Sequence, residues 1–306
     1  MNFDISVGPH IRAPYDAKRV MWFVAFALLP TSAAGVYFFG RTALTLLVFT
    51  VLAAVAAEAL CQRLAKRPVT VSDGSAVVTG LLLALIVPPT LPLWMAGIGA
   101  AFSIVIVKTL FGGLGFNIFN PALAGRAFLL ASWPVAMTSW VKPFDAVTTA
   151  TPLYLVNKLH QAAPGYWDLF LGNRAGSLGE TSALAILIGA GLLLLTGVID
   201  WAAPAAMIGA VGLLTWLLGH DPLFGILSGG VLLGAFFMAT DYVTAPVTVK
   251  GRFYFGLGCG LLTVLIRYFG GFPEGVCYAI LIMNMLTPVI DKYARPRLYG
   301  EVKKHA

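Results

Sequence analysis

Apolar runs close to the length that crosses a bilayer recur ten times along this 306-residue chain. A helix needs about 20 apolar residues to span the hydrocarbon core of a membrane. Only 11% of the residues are charged, whereas a soluble domain carries roughly 25%. The alternating pattern of a membrane barrel is absent, so we predict an all-α polytopic membrane protein. The predicted spans are residues 20–39, 42–60, 75–88, 93–110, 120–137, 181–199, 203–219, 222–239, 253–268 and 275–290.

Basic residues predict how this bundle is oriented in the membrane. If the N-terminus lies inside, fourteen Lys and Arg residues fall on the inner face and five on the outer face. This positive-inside bias places both termini in the cytoplasm. The same bias explains the net charge of +7 as a result of membrane topology, so the charge does not indicate nucleic-acid binding. The inner residues are Arg12, Lys18, Arg19, Arg63, Lys66, Arg67, Lys108, Lys250, Arg252, Lys292, Arg295, Arg297, Lys303 and Lys304, and the outer ones are Arg41, Lys142, Lys158, Arg174 and Arg267.

The two halves of the chain share an ordered set of features, which predicts an internal repeat. Because each copy holds an odd number of spans, five, the second copy is inserted upside down. Inverted repeats of this kind usually enclose a site near the middle of the membrane. The alternative is that Gly and Pro only punctuate loops. The matched features are Gly80–Leu85 with Gly234–Ala239, Lys108–Gly113 with Arg267–Gly271, and Asn120-Pro121 with Asn284 and Pro288.

The repeat predicts five regions along the chain. They are a cytoplasmic N-terminal segment (1–19), a first five-helix repeat (20–137), an outer-face loop (138–180), a second five-helix repeat (181–290) and a cytoplasmic tail (291–306).

Two interrupted helices and one charge within a span are candidate binding positions inside the bundle. Residues 111–122 combine several glycines with Asn117 and Asn120, and free amide groups there could receive a ligand. Residues 238–246 place Asp241 and hydroxyl side chains at a helix end, where Asp241 could equally be an interfacial cap. Arg126 lies within a span, and a charge is costly in lipid. Arg126 should therefore face a partner or an anionic ligand.

The predicted outer loop carries three threonines within four residues, in the segment Asp145-Ala-Val-Thr-Thr-Ala-Thr-Pro-Leu153. No neighbouring base, metal cluster or phosphate loop would make a threonine catalytic. A hydroxyl could instead be a place of attachment. On these residues alone, the simpler interpretation is the start of a turn or helix before Pro152.

The sequence lacks the motifs that several kinds of chemistry require. The chain has no Gly-x-x-x-x-Gly-Lys-Ser/Thr loop and no dinucleotide fingerprint, so we do not expect it to hydrolyse ATP or bind NAD by itself. Its three cysteines lack the spacing of an iron–sulfur motif, and its four histidines are scattered. We therefore predict no catalytic residue and no metal ligand within the chain.

Four segments, in this order, resemble the RnfD/NqrB family, the flavin-carrying membrane subunits of ion-translocating electron-transport complexes. The resemblance covers nearly the whole chain. A short N-terminus and a length near 300 are similar to RnfD, whereas NqrB-type subunits are longer. The segments are Ser72–Leu85, Phe111–Ala122, Phe237–Asp241 and Phe272–Asn284.

This resemblance implies a covalent flavin. In the family, a separate flavin transferase on the outer face joins FMN by a phosphoester to the last threonine of a Ser/Thr-Gly-Ala-Thr motif. Here the motif is Thr148-Thr-Ala-Thr151, so the resemblance implies attachment at Thr151. Thr149 stands where glycine is more usual, and Thr148 and Thr149 are the competing acceptors. The further candidate cofactor-binding residues are Asn117, Asn120, Arg126, Asp145 and Asp241.

The resemblance also implies a function. The chain would be the D-type subunit of an Rnf complex, which links reduced ferredoxin and NAD to transport of Na⁺ or H⁺. It would relay electrons without a complete active site, from a G-type covalent flavin subunit towards a non-covalent riboflavin in the bundle. Membrane iron–sulfur subunits, the flavin transferase and the lipid of a bacterial or archaeal cytoplasmic membrane are the other implied partners. The alternatives are an NqrB-type quinone-reductase subunit and a solute channel or transporter.

Overall fold

The computed structural model describes residues 16–144, 151–157, 165–270 and 275–295, and helices are the regular elements of these segments. Two stretches without helix, 110–120 and 239–248, separate helices at the places where interrupted helices are predicted. The helices are α1 (Ala17–Ala27), α2 (Leu29–Leu64), α3 (Ser75–Leu85), α4 (Leu93–Ala101, continued by π-helical turns at Phe102–Thr109), α5 (Pro121–Ser132), α6 (Pro134–Met137), α7 (Pro152–Asn157), α8 (Tyr166–Leu171), α9 (Ala183–Leu195), α10 (Ala202–Leu217), α11 (Pro222–Leu227), α12 (Val231–Leu233, continued by π-helical turns at Gly234–Met238), α13 (Val249–Phe269) and α14 (Val276–Ala294).

Three of the described helical stretches are long and apolar enough to cross a membrane. They are Ala17–Leu64, Val249–Phe269 and Val276–Ala294. Gly40 divides the first stretch, because its φ of 67° lies in the left-handed region that favours glycine. Shorter apolar helices of 10–17 residues accompany these three. Many large apolar side chains lie on the outside, such as Leu195, which is 88% exposed. Such a surface identifies a multi-pass membrane protein.

Helices coincide with all ten apolar runs, but several runs hold shorter helices than predicted. The run at 222–239 is interrupted at residues 228–230, because Gly229 and Gly230 both have positive φ. In the fifth run, α5 ends at Ser132 and α6 begins at Pro134. The third run ends as a helix at Leu85, before Pro88 and Pro89.

Glycines allow the helices to approach closely, as is common in membrane bundles. In α9, a Cβ added to Gly189 would lie 2.1 Å from the carbonyl oxygen of Ala27 in α1. A Cβ added to Gly191, two residues further along α9, would have no neighbouring atom within 4 Å. Gly189 is therefore a packing residue, whereas Gly191 faces open space.

These two glycines provide a matched test of the helix contact. Gly189→Ala should destabilise the protein by about 1–3 kcal/mol, because the added methyl group displaces the backbone of α1. Gly191→Ala should be neutral or stabilising by up to about 1 kcal/mol, because alanine favours helix more than glycine does. Thermal unfolding in detergent measures both variants. Equal midpoints for the two variants would contradict the close contact between α1 and α9.

Candidate functional site

Thr151 lies at the beginning of α7, and its side chain is only 5% exposed. The backbone N–H of Tyr154 donates to Thr151 Oγ1 at 3.3 Å, and the N–H of Leu155 donates to the Thr151 carbonyl at 3.0 Å. Pro152 supplies the first helical residue, a position that suits its fixed φ. Thr151 is thus the N-cap of a short helix, as the simpler interpretation of the sequence predicts. Thr148, Thr149 and the candidate residue Asp145 lie outside the described residues.

The short helix α7 is held against the bundle by apolar contacts. Leu153 of α7, Leu169 of α8 and Phe224 of α11 form a small buried cluster. The hydroxyl of Tyr166 in α8 also donates to the carboxylate of Asp221, which caps α11 by accepting from the N–H of Leu223 at 3.0 Å. These contacts fix the position of Thr151 relative to α11.

Thr151 lines a small cavity, which we call the Thr151 cavity. Arg174 lies on its wall, is only 6% exposed, and donates from Nη2 to the backbone carbonyl of Glu180. Arg267 lies behind the cavity and donates to the carbonyls of Ser228 at 2.9 Å and Gly229 at 2.8 Å. The lining residues are Thr151, Pro152, Leu153, Arg174, Ala175, Gly176, Glu180, Ser228 and Gly229.

A second cavity, the interior cavity, brings together three of the candidate residues. Asn117, Asn120 and Asp241 all line it, although Asp241 is more than a hundred residues away from the other two. Its walls are mainly apolar and come from α1, α3, α9 and the π-helical turns at Gly234–Met238. Polar groups converging on a largely apolar cavity are typical of a site for a small organic ligand. Its further polar lining residues are Ser75, Thr79, Lys108 and Thr240.

A buried ion pair adjoins the interior cavity. Lys108 and Glu58 are each about 2% exposed, and Lys108 Nζ lies 2.6 Å from Glu58 Oε1. Lys108 also donates to the hydroxyl of Ser75, the first residue of α3. In the sequence, Lys108 counts as an inner-face charge and as part of the predicted repeat, and its pairing with Glu58 was not predicted. The sequence feature that could have indicated this pair is Glu58, because it is the one charged residue in the apolar run 42–60.

The two asparagines of the interior cavity also stabilise the chain around it. Asn120 caps α5, because its Oδ1 accepts from the N–H groups of Ala122 at 3.1 Å and Leu123 at 3.3 Å. The side-chain amide of Asn284 is oriented so that both its nitrogen and its oxygen form hydrogen bonds. In this orientation the Asn284 side-chain oxygen accepts from the backbone N–H of Asn120 at 3.1 Å. Asn117 donates to the carbonyl of Phe119 at 3.0 Å. Asn120 and Asn284, which the predicted repeat pairs, therefore meet in space.

Asp241 stabilises a turn and does not cap the following helix. Its carboxylate accepts from the hydroxyl of Thr244 at 3.1 Å and from the N–H of Val243 at 3.4 Å. The N-cap of α13 is Thr248, whose hydroxyl accepts from the N–H of Gly251 at 3.0 Å. Asp241 thus lines the interior cavity, and its carboxylate stabilises the chain between α12 and α13.

Arg126 lies apart from the other candidates. It is buried in α5, about two turns beyond Asn120, and its Nε donates to the carbonyl of Ile86 at 2.7 Å. It lines a third, small cavity, the Arg126 cavity. Glu180 and Gly229 line both the Arg126 cavity and the Thr151 cavity, so these two cavities are neighbours.

Three of the charges used to orient the bundle are buried. Lys108, Arg174 and Arg267 are each no more than 6% exposed. Their role in the structure is to bind carbonyl, hydroxyl or carboxylate groups inside the protein. The bias of basic residues towards one face does not depend on them.

The buried polar side chains and the apolar exterior define a multi-pass helical membrane protein. The model of the NQR2, RnfD, RnfE family matches residues 4–300, so the chain belongs to this family. This match confirms the resemblance found in the sequence. In Acetobacterium woodii, the D subunit of the Na⁺-translocating ferredoxin:NAD⁺ oxidoreductase complex is 48% identical over 313 residues, which cover 100% of this chain and 98% of that protein.

Two other relatives are also D subunits of such complexes and are similar to this chain over nearly its full length. The D subunit of the proton-translocating ferredoxin:NAD⁺ oxidoreductase complex of Clostridium ljungdahlii is 47% identical, covering 97% of this chain and 96% of that protein. The D subunit of the ion-translocating oxidoreductase complex of Stutzerimonas stutzeri is 43% identical, covering 95% of this chain and 93% of that protein. All three relatives are subunits of ion-translocating oxidoreductase complexes.

The pairing of Glu58 with Lys108 is tested by a double-mutant cycle. Lys108→Met should cost about 3–5 kcal/mol of stability, because it leaves the buried Glu58 carboxylate without its countercharge. Combining it with Glu58→Gln should recover much of that loss, because no uncompensated charge remains. Thermal unfolding of the wild type, both single variants and the double variant measures the coupling. Additive effects of the two substitutions would contradict the ion pair.

Proposed function

We propose that the chain is the flavin-carrying D-type subunit of an Rnf-type complex. It would relay electrons between reduced ferredoxin and NAD⁺ in a complex that translocates Na⁺ or H⁺. The observation that carries this proposal is the near-50% identity, along the full length, to the D subunits of two ferredoxin:NAD⁺ oxidoreductase complexes. These relatives favour the Rnf-type function over a quinone-reductase function and over a solute channel.

In this proposal the chain crosses the membrane ten times, as two inverted five-helix repeats with both termini in the cytoplasm. Two buried cations at equivalent positions support the repeat. Lys108, in the last turn of the π-helical segment Phe102–Thr109, binds the beginning of α3. Arg267, in the last turn of α13, binds carbonyl groups just before α12. In each half, the cation of the fourth span thus reaches the N-terminal end of a third-span helix.

The proposed attachment site for FMN is Thr151. In the attachment reaction, the Thr151 oxygen forms a bond to phosphorus in an activated flavin phosphate. The bond from phosphorus to the phosphate-type leaving group breaks, and the hydroxyl proton passes to the flavin transferase or to solvent. Arg174 lines the same small cavity as Thr151 and brings a positive charge close to the proposed phosphoester. When bound, FMN supplies the electron-transfer chemistry, and the protein supplies its position and electrostatic environment.

The interior cavity is the proposed site of the non-covalent riboflavin. Its lining combines a few polar side chains with mainly apolar walls, as is usual for sites of small organic ligands. Apolar walls suit a flat aromatic ring. Asn117, Lys108 and Asp241 are placed to contact the polar edges of such a ring or its hydroxylated side chain. This arrangement would fix the orientation of the ring in the bundle.

The positions of the two sites give the chain its role as a relay. Thr151 belongs to the predicted outer loop, where a G-type covalent flavin subunit would meet it. The interior cavity lies beside the predicted inner-face segments 111–122 and 238–246, so in this proposal the two sites lie towards opposite faces of the membrane. Membrane iron–sulfur subunits would complete the path, and the flavin transferase would act on the outer face.

Covalent flavin at Thr151 is tested by co-expressing the chain with its flavin transferase. The wild type should show in-gel flavin fluorescence, and Thr151→Ala should show none, because the hydroxyl that forms the ester is missing. Thr148→Ala and Thr149→Ala are the matched controls and should keep the fluorescence. The mass of the tryptic peptide that contains Thr151 should increase by one FMN adduct. A wild-type protein without fluorescence would refute the flavin-carrying function.

The interior site is tested by filling the cavity. Val24 lines the interior cavity, whereas Val48 lies on the exposed apolar surface of α2. Val24→Phe should remove most of the acid-extractable riboflavin, because the added ring occupies the cavity, and should leave FMN at Thr151 unchanged. Val48→Phe should retain both flavins. Chromatography of the extracted flavins, normalised to covalent FMN, measures the effect. Unchanged riboflavin in Val24→Phe would place that site elsewhere.

A further inference from the structure

The helical stretch Ala17–Leu64 folds back on itself, and its two legs lie side by side on α3. A Cβ added to Gly74, just before α3, would lie 3.1 Å from the indole nitrogen of Trp22 in the first leg. A Cβ added to Gly80, in the middle of α3, would lie 2.8 Å from the Cα of Val51 in the second leg. Because one short helix contacts both legs, the chain must turn back between them, at the glycine that divides the stretch.

An apolar groove, which we call the hairpin groove, lies between the two legs, with two side chains of α3 as its floor. Phe26, Leu29 and Val48 line it and are each about half exposed. Ser32 is the one hydroxyl-bearing residue of the lining, and its hydroxyl donates to the carbonyl of Leu28 in its own leg at 3.0 Å. The lining therefore suits an apolar occupant.

The hairpin groove is long enough to hold an extended acyl chain. In the first leg its lining extends from Trp22 to Val36, which corresponds to about 20 Å at the helical rise of 1.5 Å per residue. One leaflet contributes about half of the roughly 30 Å hydrocarbon core of a bilayer. The acyl chain of a lipid in one leaflet can therefore lie along the groove over its whole length.

The side chains of the hairpin groove differ from those at the close helix contacts of this protein. Those contacts use glycine, such as Gly80 against α2 and Gly189 against α1, as is common between membrane helices. Among the described residues that line the groove there is no glycine, and large side chains outnumber the three small ones, Ala25, Ser32 and Ala33. A flexible acyl chain adapts to such a surface better than a rigid helix does. The lining thus favours a lipid over a helix of another subunit or of a second copy.

The predicted cytoplasmic end of the hairpin groove holds a fixed aromatic ring next to two cations. The indole N–H of Trp22 donates to the carbonyl of Ser72 at 3.2 Å, which fixes the ring at this end. Lys18 lies one helical turn before Trp22 on the same face of α1, and Arg19 follows it. Both basic side chains are exposed. They extend the line of the groove from apolar side chains to positive charge.

The wider surface at this end is also positively charged. Residues 16–19 and 63–73 flank it and together carry five Lys or Arg residues and two Asp residues. One of these acids, Asp73, is engaged within the protein, because its Oδ1 accepts from the N–H of Ser75 at 2.8 Å and from its hydroxyl at 2.6 Å. Basic residues at the membrane surface attract anionic lipid headgroups. The charge of this end therefore complements an anionic headgroup.

We propose that the hairpin groove binds one anionic phospholipid. Its acyl chain lies along the groove, and its phosphate lies beside Lys18 and Arg19. Another face of α1 lines the interior cavity through Val20, Met21 and Val24. The lipid thus stabilises the helix that forms one wall of that cavity. The lipid site is separate from the proposed flavin sites and does not depend on them.

The choice of lipid is tested with the full-length wild-type chain in detergent. After delipidation, its Tm is measured while dioleoylphosphatidylglycerol or dioleoylphosphatidylcholine is added. A ligand that binds only the folded protein raises its Tm. Phosphatidylglycerol should act at lower concentrations than phosphatidylcholine, because the two lipids have the same acyl chains and only the first carries a net negative charge. Equal half-saturating concentrations would overturn the proposal.

The headgroup contact is tested by replacing both Lys18 and Arg19 with Gln. This variant should bind phosphatidylglycerol roughly thirtyfold more weakly, because two basic residues beside an anionic headgroup are lost. Its response to phosphatidylcholine should not change. Lys292→Gln with Arg295→Gln, at two exposed basic residues at the end of α14, is the matched control and should keep the wild-type preference. An equal loss in this control would show a general attraction to positive charge and would overturn the site.

The acyl-chain contact is tested with Ala33→Phe. Ala33 is an exposed lining residue, so the added ring occupies the groove without entering the core. The Tm without lipid should match that of wild type, and the increase with either lipid should disappear. Ala205→Phe makes the same substitution on an exposed face of α10 and should respond as wild type does. A full lipid response in Ala33→Phe contradicts the proposal.

Native mass spectrometry of the assembled complex distinguishes a lipid from a protein partner. The wild-type complex should retain one more phospholipid for each copy of this chain than the Ala33→Phe complex, and both should contain the same subunits. If Ala33→Phe instead loses a subunit while its lipid count is unchanged, a helix of that subunit occupies the groove and the lipid site is wrong.

Discussion

A helix that breaks inside a membrane exposes backbone carbonyl and N–H groups that lipid cannot satisfy. This structure satisfies many of them with buried side chains. Arg267 binds three carbonyls at the end of α11, and Arg126 binds the carbonyl of Ile86 where α3 ends. Asn120 supplies the acceptor for two N–H groups where α5 begins. Buried cations and amides are therefore the physical condition for keeping broken helices in the bundle.

The same breaks create the candidate sites. Where the chain leaves the helical path, its side chains and backbone no longer fill the space between neighbouring helices, and polar groups turn inward. The interior cavity lies between the two irregular stretches 110–120 and 239–248. The Thr151 cavity and the Arg126 cavity both include Gly229, at the interruption between α11 and α12. The residues at which the helices are interrupted therefore also line the candidate sites.

Much of the fold could be predicted from local sequence patterns. The apolar runs locate the helices, and glycine and proline locate the interruptions, because both signals act within a few residues of the chain. The proximity of Asp241 to Asn117 could not be obtained in this way, since it depends on packing between distant helices. Glu58 and Lys108 are fifty residues apart and form a pair only in the folded bundle.

The candidate attachment site shows the same limit. The motif around Thr151 is a local signal, and the resemblance to a family identifies it. In the sequence, Arg174 is only one charge of the predicted outer loop, because nothing local indicates that residues 174–176 fold against Thr151. The contribution of Gly229 to the same cavity depends on the interruption before α12. The sequence therefore identifies Thr151 as a candidate, whereas its surroundings required the structure.

The capping hydrogen bond at Thr151 has a consequence for the order of assembly. An ester oxygen keeps a lone pair, so Thr151 Oγ1 can still accept from the Tyr154 N–H after a phosphate is attached. The proposed modification therefore adds a cofactor without removing the interaction that begins α7. The start of α7 therefore keeps the same capping interaction with and without the proposed flavin, so the chain can adopt this backbone before any flavin is attached.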